Sequence, residues 1–146
     1  MASSVQNKQP SQLLVGIDVG STTAKIAVMD AASHKVLMRR YVRHHAQQAN
    51  CLKSLLAELD QRFEGIPMRA ALCGSGGAAL AEALDLPYVQ EVVANSLAVG
   101  ANYPTARTAI ELGGQDAKMV FFERAKTSAA TTVADMPTNS AVRMRR

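Results

Sequence analysis

A chain of 146 residues is long enough to bury one core of ordinary size, and 48% hydrophobic with 19% charged residues is a globular composition. Only 4% of residues are aromatic and none is tryptophan, which excludes the stacking platforms of single-strand nucleic-acid binders. The net charge of +4 gathers at the end, where Arg143, Arg145 and Arg146 account for three units of it, so it marks a basic tail and not a binding surface.

The opening MASSVQNKQPSQ is polar and lacks the apolar core of a secretory signal, and no later run approaches membrane-spanning length. Residues 1–11 are expected to be disordered and the protein to be cytoplasmic, with neither membrane nor nucleic acid as a partner. Leu13 to Met29, LLVGIDVGSTTAKIAVM, predicts strand, tight turn, strand. An apolar, β-branched run leads into the joint Asp18-Val19-Gly20-Ser21-Thr22-Thr23, and alternation resumes through Lys25, Ile26, Ala27 and Val28. Such a joint suits phosphate. Gly20 lets the backbone turn without a Cβ clash, so that successive N–H groups can face one anion, and the hydroxyls of Ser21, Thr22 and Thr23 add donors. The carboxylate of Asp18 would repel bare phosphate, which makes sense if magnesium with its water shell sits between them.

Asp30 to His34 reads as a turn and Lys35 to Val42 as a third strand, with Val36, Met38 and Tyr41 leaning on the core. Three strands with short turns give an antiparallel meander. His44 and His45, following Arg43, read as a solvated cluster at the strand end rather than a metal site. From Ala46 to Glu64 the period becomes helical: Leu52, Leu55, Leu56, Leu59 and Phe63 share a face, Glu58 can pair with Arg62, and Gly65 and Pro67 end the helix. Arg69 to Cys73 is a short strand. Gly74-Ser75-Gly76-Gly77 turns it into a helix, Ala78 to Leu84, and Ser75 as N-cap accounts for that turn without a ligand. Tyr88 to Gln90 is a short extended piece, followed by a helix from Glu91 to Tyr103 that Pro104 closes. Cys51 and Cys73, far apart and without CxxC spacing, read as reduced, packed thiols. The element order predicts an α/β fold, one sheet with helices against it.

After Pro104 the first hairpin recurs. Thr108 to Leu112 is a strand, Gly113-Gly114-Gln115-Asp116 a glycine turn, and Lys118 to Phe122 the returning strand. GIDVGSTTAK and IELGGQDAK each place an acidic residue two before the first turn glycine and a lysine after the turn, the pattern of a duplication. Two such hairpins facing each other could hold a nucleotide's phosphates from both sides.

These paired motifs resemble the phosphate motifs of the ATPase superfamily that includes actin, the heat-shock chaperone ATPases and sugar kinases. Within it the chain is most similar to the acyl-CoA enzyme activases, the BadF/BadG/BcrA/BcrD-type ATPases that activate 2-hydroxyacyl-CoA dehydratases and benzoyl-CoA reductases. The resemblance is dense from Leu14 to Phe122 and includes Gly74 to Gly77 and LPYVQEVVA, Leu86 to Ala94. It implies a ribonuclease-H-like first lobe of order βββαβαβα over 12–104 and the opening hairpin of a second lobe over 105–128, with a disordered tail over 129–146.

Position by position, the resemblance implies ATP or ADP with magnesium as ligands. Asp18 would order magnesium through its waters, Gly20, Ser21, Thr22 and Thr23 would wrap the β- and γ-phosphates, and Lys25 would point at phosphate. Gly113, Gly114 and Gln115 would close on the phosphates from the second lobe, with Asp116, the second catalytic candidate beside Asp18, near the metal or attacking water. Glu111 stands where many superfamily members have aspartate, and Gln115 where glutamate is expected in the long members. Family members continue into a motif like N-G-x-C-A-G-G-T-G, whose cysteine binds an iron-sulfur cluster shared between two subunits, and then into an adenosine-binding lobe. Here the sequence reads ATTVADMPTNSAVRMRR, with no cysteine after Cys73, so no cluster is expected in this chain and the second hairpin is expected to lack covering helices. The resemblance thus implies the nucleotide-binding part of an activase that, when complete, couples ATP hydrolysis to electron transfer into a dehydratase or reductase, with that enzyme and a second copy of the chain as candidate partners. A fragment of a sugar or small-acid kinase and a non-catalytic nucleotide-binding remnant are the alternatives.

Overall fold

A computed structural model describes residues 9–112 and 117–122. The expected tail and most of the expected disordered N-terminus lie outside the described residues, as does the second glycine turn, Gly113 to Asp116. The chain divides into two compact units, and the division falls between Glu91 and Val92.

In the first unit β1 (Leu13–Val19), β2 (Thr23–Asp30), β3 (Val36–Arg43) and β4 (Met68–Cys73) form one sheet in the order β3-β2-β1-β4. β1 pairs antiparallel with β2 and parallel with β4, and β2 pairs antiparallel with β3. Helix α1 (Gln48–Arg62) joins β3 to β4, and α2 (Ala78–Ala83) follows β4. Beyond α2, Tyr88 bridges Leu72 in parallel, so the extended piece read after Pro87 takes the place next to β4. Leu13, Val15, Ile17 and Val19 alternate onto one face of β1 and join Ala24, Ile26, Val28, Met38 and Leu72 in a single buried cluster. The apolar stripe of α1, Leu52, Leu55, Leu59 and Phe63, and Ala81 of α2 complete that cluster.

The structure corrects the sequence reading at several positions in this unit. Of the three β3 residues expected on the core only Met38 is buried; Val36 and Tyr41 are exposed. Tyr41 lies opposite Lys25, on the face away from Ile26, because its parity along the strand is odd relative to Met38. Val36 is turned away by a register shift between Val28 and Met29, which places it opposite Met29. Helix α1 begins two residues later than expected, after His45 and Ala46, which have φ of 47° and 61° and interrupt any helical path. Glu58 does not take Arg62 as its partner. Its carboxylate receives Nε and Nη2 of Arg40 across the helix–sheet junction, while Arg62 donates to the Leu37 carbonyl at 3.4 Å. Both side chains of the Arg40–Glu58 pair are partly solvated, so it contributes on the order of 1 kcal/mol or less.

The second unit holds α3 (Glu91–Asn102) from Val92 onward and an antiparallel hairpin of β5 (Thr108–Leu112) and β6 (Ala117–Phe121). Val120 is buried, whereas Ile110, Leu112, Met119 and Phe121 are exposed. Asn95 of α3 donates from Nδ2 to Glu111 Oε2 at 2.6 Å. No helix among the described residues is long and apolar enough to cross a membrane.

Leu59, at 2% exposure, sits between α1 and the sheet, so Leu59→Ala should lower the unfolding free energy by about 2–5 kcal/mol. Val36→Thr, on the exposed side of the register shift, should change it by no more than about 0.5 kcal/mol. Denaturant titrations of the two variants check both values and the corrected orientation of β3.

Candidate functional site

The β1–β2 hairpin places its turn at the carboxyl ends of two parallel neighbours, β1 and β4, where Asp18 and Cys73 are in register. The turn is closed by Gly20 N–H donating to the Thr23 carbonyl at 2.9 Å. Gly20 therefore spends its N–H within the turn. Nor does the turn demand glycine there: a Cβ on Gly20 would meet Thr23 O at 3.5 Å, an ordinary contact. Ser21 and Thr22 are exposed, Thr23 is buried, and Ser21 and Thr22 donate no backbone hydrogen bond among the described residues. Their N–H groups and hydroxyls are what the turn presents to a ligand.

Asp18 and Lys25 are cross-strand partners, and Lys25 Nζ donates to Asp18 Oδ2 at 2.5 Å. Lys25, expected to point at phosphate, thus points at the carboxylate that the sequence placed beside the metal. Partial burial pulls the Lys25 ammonium down, but the hydrogen bond and charge of Asp18, with smaller contributions from Tyr41 and Glu91, outweigh it and hold its pKa above the ordinary 10.5. Tyr41 also lies under the ammonium, with the ring centre 5.7 Å from Nζ. The other carboxylate oxygen, Asp18 Oδ1, is buried with no hydrogen-bond partner.

Two groups that the sequence reading set aside hold this turn from behind. Gly74, at φ +94°, packs so closely that a Cβ on it would overlap Asp18 Oδ1 and the Val19 carbonyl. Gly76 N–H donates to Val19 O at 2.8 Å, and Tyr88 Oη–H donates to Gly74 O at 3.1 Å. The 74–77 loop thus belongs to the site. Ser75 is not the cap of α2; the N-cap is Gly77, without a side-chain hydrogen bond. His44 is likewise not solvated: it is 3% exposed, its Nε2 lies 3.1 Å from Gly20 O, and its backbone N–H donates to Thr22 O at 3.2 Å. The signals for both groups were topological. A parallel β1–β4 pair brings residues 74–77 to the end of β1, and the Thr23–Arg43 register brings His44 to the turn.

In the second unit Glu111 and Lys118 are cross-strand partners, the same seven-residue spacing as Asp18 and Lys25. The two hairpins therefore share their register as well as their motif. Gly113, Gly114, Gln115 and Asp116 lie outside the described residues. Neither Cys51 nor Cys73 forms a disulfide, and no group of three or more His, Cys, Asp or Glu side chains is placed to hold a metal among the described residues.

Gly74→Ala should cost about 1–3 kcal/mol, through backbone strain and displacement of Asp18, whereas Gly16→Ala, with nothing within 4 Å of the new methyl, should leave the site intact. Thermal unfolding of both variants tests this. Because the folded pKa of Lys25 is raised, the Asp18–Lys25 pair contributes its full stability below pH 10.5 and loses it as pH rises through the folded value. Denaturation midpoints measured from pH 9 upward should fall more steeply for the wild type than for Lys25→Met.

Three solved structures share this architecture. Component A of the (R)-2-hydroxyglutaryl-CoA dehydratase of Acidaminococcus fermentans superposes with a TM-score of 0.65 at 22% identity, over 77% of this chain and 44% of its own. The ethanolamine utilization protein EutJ of Carboxydothermus hydrogenoformans gives 0.59 at 21% identity, over 84% and 52%. The type II Ppx/GppA phosphatase of Aquifex aeolicus gives 0.52 at 14% identity, over 75% and 48%. The chain thus spans about half the length of these structures, and the shared fold is the actin-like ATPase fold that the sequence predicted. No curated protein matches the sequence. The family model of the BadF/BadG/BcrA/BcrD ATPases matches residues 15–134, most of the chain, and the protein belongs to that family.

Proposed function

We propose that the β1–β2 turn binds the phosphates of ATP or ADP together with magnesium, and that the protein serves as the nucleotide-binding part of an acyl-CoA enzyme activase. The observation that carries this reading is Asp18 Oδ1, a buried carboxylate oxygen without a hydrogen-bond partner at the foot of a turn whose Ser21 and Thr22 donors are exposed. A buried acceptor left unpaired is costly, and a site that leaves one has a ligand in view. The donor set fits hydrated magnesium: Asp18 would hold it through water, with the hydroxyls of Ser21 and Thr22 at hand. Bound magnesium would neutralise phosphate charge and order water.

The residues of the turn do the rest. Lys25 balances the charge of Asp18 and orients its carboxylate, Ser21 and Thr22 supply donors, and the bare Cα of Gly20, which the turn itself does not require, leaves room for a phosphate oxygen. The second hairpin, with Glu111 and Lys118 in the matching register, would be a phosphate-gripping element of the same design, to which the sequence motif assigns Gly113, Gly114, Gln115 and Asp116. Family membership and the likeness to a dehydratase component A support a role in coupling ATP hydrolysis to electron delivery into a 2-hydroxyacyl-CoA dehydratase or a related reductase.

Replacing Asp18 by alanine should abolish magnesium-dependent binding of ATP and ADP with helical content nearly unchanged. Calorimetric titration with and without magnesium, beside circular dichroism, measures both. Wild-type protein that binds neither nucleotide at millimolar concentration would remove the basis of this function.

A further inference from the structure

We infer that His44 is a positioning residue for the phosphate turn, aiming two of its backbone N–H groups. The inference rests on the phosphate-binding reading of that turn. His44 follows the last residue of β3 and is 3% exposed, yet it makes no contribution to the apolar cluster; its ring and its backbone N–H both bond to the turn, while its carbonyl accepts from Gln47 N–H. Gly20 O can only accept, so the ring nitrogen facing it at 3.1 Å, Nε2, carries the proton. The other ring nitrogen, Nδ1, is buried and without a hydrogen-bond partner among the described residues.

The consequence follows from peptide geometry. In a planar trans peptide the C=O and the next N–H point in opposite directions. Fixing Gly20 C=O toward His44 turns Ser21 N–H away from it. The His44 backbone N–H, donating to Thr22 O, turns Thr23 N–H away in the same manner. One residue thus orients two peptide planes on either side of Ser21 and Thr22. With Gly20 N–H already bound to Thr23 O, these planes decide which donors face outward. The three carbonyls of the turn region, Val19, Gly20 and Thr22, are all drawn backward by Gly76 N–H and the two His44 donors. Anion binding by backbone N–H groups depends on such prior orientation, since a phosphate need not then order the loop.

The side chain can be tested stereochemically. The glutamine amide nitrogen superposes on Nε2 of histidine and can donate to Gly20 O, whereas that of asparagine superposes on Nδ1 and falls short. The full chain should be titrated with magnesium ATP and with inorganic pyrophosphate as wild type, His44→Gln, His44→Asn and His44→Ala, with circular dichroism on each. His44→Asn and His44→Ala should bind about tenfold more weakly, the effect of one ordinary hydrogen bond, and His44→Gln should stay within about threefold of wild type. If His44→Ala fails to fold, the Gln and Asn pair decides alone. The imidazole ¹⁵N spectrum of the wild type should show His44 as the Nε2–H tautomer before any nucleotide is added. Wild-type affinity in folded His44→Asn, a glutamine variant no better than asparagine, or an Nδ1–H tautomer overturns the inference alone. Wild-type protein that binds neither probe overturns the nucleotide reading and the inference with it.

Discussion

Strand β1 makes two ladders at once, antiparallel to β2 and parallel to β4, and these ladders set the surroundings of Asp18 in the candidate site. The antiparallel ladder sets Asp18 opposite Lys25, and the parallel one sets it beside Cys73, so the loop after β4 arrives at the tip of the hairpin. Because side chains alternate with a period of two, the register that buries Ile17 and Val19 also turns Asp18 to the other face. Burial of four β1 residues against α1 and α2 thus fixes the carboxylate. A one-residue slip would lose the core and the site together.

The turn is held by backbone carbonyls more than by side-chain packing. Val19, Gly20 and Thr22 each give up a carbonyl to a donor from a different part of the chain, and Gly20 N–H closes the turn on Thr23. This division of labour accounts for the glycines. Gly20 sits at an ordinary backbone angle with room for a Cβ. Gly74 has no such room: its positive φ and its contact with Asp18 and Val19 exclude any side chain. Of these two, the glycine that the fold requires is therefore Gly74, which lies outside the candidate phosphate turn.

Charge in the site is balanced pairwise. Lys25 takes one oxygen of Asp18, so the carboxylate does not stand as an isolated charge, and the other oxygen, Oδ1, lies buried beside Gly74 without a hydrogen-bond partner. The repeat in the second unit uses the same spacing of acid and lysine, with Asn95 as a further donor to the acid. Equal register in two hairpins with similar sequence motifs is what duplication of one hairpin unit would leave behind.

Hairpin, meander, helix and the recurrence after Pro104 were all legible in the sequence, because each is written in local periodicity: two-residue alternation in β1 and β2, a helical stripe in α1, and a glycine turn with flanking acid and lysine twice over. The candidate residues of the first turn were legible for the same reason. What the sequence could not decide was which distant groups close on that turn. The orientation of Tyr41 and Val36 depended on strand parity and a bulge, and Glu58 found Arg40 on a neighbouring strand instead of Arg62 one turn along its own helix. Gly74 and His44 lie 56 and 26 residues from Asp18 in the numbering of the chain, and no local pattern marks them. Only the pairing of β4 with β1 and of β3 with β2 brings them to the turn, since hydrogen bonds between strands join residues by register and not by sequence distance.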